Sequence, residues 1–162
     1  MSNPISQHLT YEEVYKSQTA IRNSIDNTPN EEQLNNIKLL AEKVFEPLRQ
    51  LVSNARGKDS PLFISSCFRC EALNKLVGGS PTSQHCKGQA VDIDMDGRFP
   101  DFDNAKLFNL VKEQIDFDQL IWEFGTDQNP DWVHVSYNAN GNRKSIIRAV
   151  ISDGKTKYVP FV

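Results

Sequence analysis

The stretch Ser83-Gln84-His85-Cys86-Lys87-Gly88-Gln89-Ala90-Val91-Asp92-Ile93-Asp94 decides how this chain is read. Its second half alternates, with Ala90, Asp92 and Asp94 on one side and Val91, Ile93 and Met95 on the other. That is the period of a half-buried strand. An apolar face turned to the core leaves Asp92 and Asp94 pointing away from it. His85 precedes the strand on a loop, and Gly88 allows a turn tight enough to bring its ring towards Asp92. A second strand-like run, Asp131-Trp132-Val133-His134-Val135-Ser136, carries His134. Two histidines, a carboxylate and a further acid three residues before the second histidine make the parts list of a catalytic zinc site.

The pattern Ser83-x-His85-x6-Asp92 followed by Asp131-x-x-His134 resembles the zinc D-alanyl-D-alanine carboxypeptidases. It is equally similar to the related phage endolysin L-alanyl-D-glutamate peptidases, the hedgehog-like or LAS-type metallopeptidases of peptidoglycan. Upstream, Ile64-Ser65-Ser66-Cys67-Phe68-Arg69 and Leu73-Asn74-x-x-Val77-Gly78-Gly79-Ser80 resemble that family's run from strand to active-site loop. Leu9 to Thr28 and Pro47-Leu48-Arg49 look like the amino-terminal part of its short phage and bacterial forms. The resemblance covers about Leu9 to Arg148.

A chain of 162 residues has the size of one domain with a real core. The expected division is a helical part over about 9–55 and a catalytic core over about 61–151. A net charge of −3 with no basic run argues against nucleic acid as partner. No apolar stretch approaches the ~20 residues of a bilayer span. The Met1-Ser2-Asn3-Pro4 start lacks the charged and apolar regions of a secretory signal. The expectation is a monomer, made in the cytoplasm and acting on cell wall after release. The three cysteines, Cys67, Cys70 and Cys86, include one CxxC pair. A structural zinc site needs a second close pair, so small buried thiols are the simpler reading.

Thr10-Tyr11-Glu12-Glu13 is a capping-box pattern for a helix running to Ile21. Thr28, Pro29 and Glu31 open a second helix. Leu34, Ile37, Ala41, Val44, Leu48 and Leu51 give it one apolar stripe, and Pro47 is expected to kink or split it. Strands are expected at 61–66, 89–95, 119–124, 132–137 and 146–151, with Asp153-Gly154 turning into 157–162. A short helix covers Glu71 to Val77, and Asp103 caps another over Asn104 to Gln114. Helices early and strands later indicate an α+β fold with a mainly antiparallel sheet.

The resemblance implies specific roles. His85, Asp92 and His134 are the expected zinc ligands, leaving a fourth position for water. Asp94 shares the strand face, but the family spacing selects Asp92. Asp131 is the expected general base, because the family places an acid three residues before the last histidine. Positions three apart on a regular strand face opposite sides, so this role requires a bend, which Asn129-Pro130 could provide. Glu123, in Ile121-Trp122-Glu123-Phe124, is the alternative acid. Arg69 matches the family's arginine for a substrate carboxylate or the oxyanion. Ser83 and Gln84 are candidate substrate contacts, with loop capping as the rival role. Trp132 and Tyr137 either line the cleft or pack, and His8 is expected to be exposed. Cys86, beside a ligand, is a competing metal donor.

The function that follows is a zinc peptidase cutting peptidoglycan stem peptides. Release of terminal D-alanine and internal cleavage beside a D-residue are both open, with the second favoured. The alternative is a non-catalytic module of the same fold that binds zinc or cell wall.

Overall fold

The computed structural model describes residues 4–162. Its helices are α1 (Tyr11–Tyr15), α2 (Gln18–Arg22), α3 (Glu31–Leu40), α4 (Glu46–Arg56), α5 (Glu71–Leu76) and α6 (Asn104–Gln114). Its strands are β1 (Ile64–Ser66), β2 (Ala90–Ile93), β3 (Gln119–Glu123), β4 (Trp132–Ser136), β5 (Ser145–Ser152) and β6 (Lys155–Pro160).

The caps set most helix starts. Thr10 and Glu13 bond reciprocally, with Oγ1 accepting from the Glu13 amide at 3.3 Å and Oε2 from the Thr10 amide at 2.8 Å. The expected single helix to Ile21 is two short ones. Lys16 is extended, and Ser17 caps α2 by accepting from the Ala20 amide. Asn30, not Thr28, caps the next helix, paired reciprocally with Gln33. That helix passes through Pro47 without breaking. Residues Ala41–Phe45 widen into a π turn just ahead of it. The proline has no amide hydrogen and its ring crowds the carbonyl four residues back, so a looser turn accommodates it. Asp103 caps α6 over the residues expected from the sequence.

The sheet order is β1-β2-β4-β3-β5-β6. The expectation of a mainly antiparallel sheet is corrected: the sheet is mixed, because β3 and β5 run parallel. The chain leaving β4 does not turn into a hairpin but crosses the start of β3 through residues 137–144. Asp118 holds that crossing. Its buried carboxylate accepts from the Arg143 backbone amide at 2.9 Å and from Arg143 Nη2 at 2.8 Å, and its carbonyl accepts from the Ser145 amide.

Strand alternation then divides the sheet into two faces. Val91, Ile93, Leu120, Trp122, Val133 and Val135 face the helices and are buried in one core with Ile37, Leu48 and Phe108. Phe108 of α6 meets Trp122 edge to face at 5.2 Å between centroids, a favoured aromatic geometry. Burial of each such side chain stabilises the fold by about 1.5–3 kcal/mol. The other face carries Asp92, His134, Ile121 and Glu123, which share it through the register pairs Asp92↔His134 and Ile121↔His134. Across that face lies the turn Gln84–Lys87.

Candidate active site

His85, Asp92 and His134 converge, each buried, with one potential ligand atom apiece within 4.8 Å of the others. His85 directs Nε2 at Asp92 Oδ2 at 3.2 Å, and His134 directs Nδ1 at Asp92 Oδ1 at 3.0 Å. The other ring nitrogen of His85 is fixed separately: Nδ1 donates to the carbonyl oxygen of Cys67. That bond orients the ring with Nε2 aimed inward at Asp92, the position from which a histidine binds a metal. Two imidazoles and a carboxylate are the donor set zinc favours, so the residues fit the metal. Burial disfavours the Asp92 carboxylate. Attraction to His85 and hydrogen bonds from both histidines outweigh it and hold the group below the usual carboxylate range.

Each ligand candidate is positioned by its local chain. His85 sits on a tight turn begun by Ser83, whose Oγ accepts from the His85 amide, and ended by Gly88 at φ +73°. A side chain at Gly88 would lie 2.4 Å from the Gln33 carbonyl oxygen, so this turn packs directly on α3. Asp92 and His134 are register partners on adjacent central strands.

These residues open into a cavity of about 700 Å³, which Glu123 and Arg69 also line. Glu123 is buried, and desolvation pushes its carboxyl up to about 7. The field of Asp92 adds to the rise and that of His134 opposes it. A carboxyl poised there can take a proton near neutral pH and return it. Arg69 is held by its Nε to Asn74 Oδ1 and its Nη1 to Ser66 Oγ, each 3.2 Å. No salt bridge is found for it among the described residues.

Asp131 is placed elsewhere. Its amide donates to the carbonyl of Glu123 at 2.9 Å, although Glu123 is already the register partner of Trp132. Two residues thus face one of β3, and the chain bends at Asp131. The regular alternation of β4 therefore starts at Trp132, after this irregularity. The residue is exposed and is not part of the cavity lining. The chain does bend at Asp131 as expected, and just before it Asn129 Oδ1 accepts from the Ala105 amide. Asp94 is also away from the cavity, accepting from Asn104 Nδ2 at the start of α6.

Ser83 and Gln84 both line the cavity and both have structural bonds, Gln84 donating from Nε2 to Asp118 Oδ2 at 2.9 Å. Trp132 lines it as well, and its buried indole N–H has no acceptor among the described residues. Tyr137 packs on the core. His8 is exposed and paired to Glu46 at 2.7 Å. The cysteines are free thiols; burial pushes Cys67 up to about 12 and also raises Cys86, which weakens either as a metal donor.

One residue with no motif around it organises the site from behind. Asn27, buried, donates to the carbonyls of Tyr15 (2.7 Å) and Phe68 (3.1 Å) and accepts from the Cys70 amide (2.7 Å). It clamps the loop that carries Arg69. Its sequence signal is faint, a single asparagine before Thr28-Pro29.

No helix among the described residues is long and apolar enough to cross a membrane. No curated protein matches the chain. A family model described as Peptidase M15 matches residues 7–136, a span that contains the three converging residues, Arg69 and Glu123. The chain therefore belongs to the M15 peptidase family, that of the zinc D-Ala-D-Ala carboxypeptidases and LAS-type peptidases.

Proposed function

We propose that this protein is a zinc metallopeptidase that hydrolyses a peptide bond in peptidoglycan stem peptides. The observation that carries the reading is the buried His85–Asp92–His134 cluster opening into a cavity walled by Glu123 and Arg69. When bound by these three residues, zinc supplies Lewis acidity and lowers the pKa of a water. Glu123 takes the proton of the attacking water and passes it to the departing amine. Its buried position suits both steps, since a carboxyl pushed up to about 7 exchanges protons near neutral pH. Arg69 keeps its charge at every working pH and stabilises the negative oxygen that develops on the substrate carbonyl. Ser66 and Asn74 hold its guanidinium for that role.

The test is digestion of purified peptidoglycan with and without chelator, followed by mass spectrometry of the products. Zinc-dependent release of peptide fragments or D-alanine is expected. A zinc-loaded protein that binds stem peptide without cleaving it would instead make this a binding module.

A further inference from the structure

We propose that Tyr158, with Ile147 and Thr156 beside it, forms the subsite for the residue on the leaving-amine side of the scissile bond. In this proposal that residue belongs to a continuing peptide and brings no free carboxylate. The inference rests on the hydrolase reading above. All three residues line the cavity, yet they lie on β5 and β6, beyond the matched family span, which ends at residue 136. This wall is therefore a part of the chain about which family membership predicts nothing.

The strand register gives the direction. One row across the sheet face runs Trp132↔Glu123↔Ala149↔Tyr158, and the next runs Asp92↔His134↔Ile121↔Ile147. Glu123, which hands a proton to the departing amine, thus lies between the metal-binding residues and β5–β6. The amine and whatever follows it must extend over that side. Ala149 is fully buried and does not line the cavity, so this wall is made by Ile147, Thr156 and Tyr158. Tyr158 is 53% exposed although it lines the cavity. A large ring half in water at the edge of a cleft is a surface that a bound peptide would cover.

The charges give the chemistry. The cations lining the cavity are Arg69 and Arg143. Arg143 is committed to Asp118, whose oxygens accept from its Nε and Nη2 at 3.1 and 2.8 Å. Arg69 follows β1, at the sheet edge opposite β6. Lys155 and Lys157 alternate with Thr156 and Tyr158 along β6 and, like Arg148 of β5, are not among the residues lining the cavity. Burial, with the fields of Glu123 and Asp92, raises the Tyr158 hydroxyl, which stays a protonated donor. A terminal carboxylate there would find no uncommitted cation in that part of the cavity lining, whereas a peptide carbonyl would accept from the phenol and lay its side chain on Ile147. The site so built suits an endopeptidase.

The experiment compares wild type, Tyr158→Phe and Tyr158→Ala on synthetic stem peptides with free or amidated carboxyl ends, with bound zinc measured for each. Expected is a KM raised about tenfold in Tyr158→Ala with a smaller change in kcat, as for a contact present in ground and transition states alike. Tyr158→Phe should fall between, zinc content should not change, and wild type should cleave the amidated peptide at least as well as the free acid. An active Tyr158→Ala with unchanged KM, or a wild type that requires the free carboxyl and releases single D-alanine, overturns the subsite and leaves the hydrolase standing. A zinc-loaded wild type that cleaves neither these peptides nor intact peptidoglycan overturns both.

Discussion

The amide of Asp131 donates to the carbonyl of Glu123 at 2.9 Å, yet the Asp131 side chain is exposed while that of Glu123 is buried. Only Glu123 reaches the cavity. Replacing Glu123 with Gln, which keeps its shape and removes its proton exchange, should lower kcat by roughly 10² or more. Asp131→Ala should stay within about threefold of wild type, as a surface change away from the reacting atoms does. Steady-state kinetics with zinc content measured in parallel decides this. The reverse ranking would return the acid's role to Asp131.

The pH dependence of stability follows from the same carboxyl. In the metal-free protein the Glu123 group is raised from 4.5 to about 7 by burial. Protonation then favours the native state. Its contribution is fully present below the unfolded value and is lost as pH rises through about 7. Asp92 has the opposite sign: its lowered carboxyl contributes above the unfolded value of 3.8 and is lost as pH falls through its folded value. Thermal unfolding of chelated wild type and Glu123→Gln between pH 5 and 8 should show wild type losing ground to the variant as pH rises. Parallel curves would contradict the burial of a titrating group.

Zinc should bind one per chain, with ligand bonds of about 2.0–2.2 Å. At a hundredfold excess over Kd it should add about 2.7 kcal/mol of stability. His85→Ala and His134→Ala should remove that gain, and the chelated variants should also unfold more easily than wild type, because each leaves buried Asp92 short of a partner. Elemental analysis and thermal unfolding check it. An ion found on Cys67, Cys70 and Cys86 would overturn the ligand assignment.

Asn27→Ala should destabilise the protein by about 1–3 kcal/mol, because it strands the Cys70 amide and two carbonyls in a buried place. It should also raise KM or lower kcat through Arg69, whose loop it holds. Urea unfolding and kinetics test the two effects separately.

Much of this molecule is local and therefore legible in the residue order. Asp103 announces α6, and the alternation from Ala90 to Ile93 announces β2 with Asp92 turned away from the core. The choice between Asp131 and Glu123 was not legible. Asp131 is near His134 in the sequence and Glu123 is near it only across the sheet, and the fold alone shows that Glu123 lines the cavity while Asp131 is exposed outside it. The parallel pairing of β3 and β5 was hidden for a similar reason. It depends on Asp118 holding Arg143 across the chain crossing, a contact between residues 25 positions apart. The break between α1 and α2 and the shift of a cap from Thr28 to Asn30 are smaller cases. There, several residues of similar capping strength competed and tertiary packing chose.

Asp92 uses one oxygen for each histidine, and His85 is tethered on its far side to Cys67. The ligand cage is consequently assembled by hydrogen bonds before any ion arrives. Loading the metal exchanges protons for a cation inside a finished scaffold. The three side chains therefore need little rearrangement to take a metal.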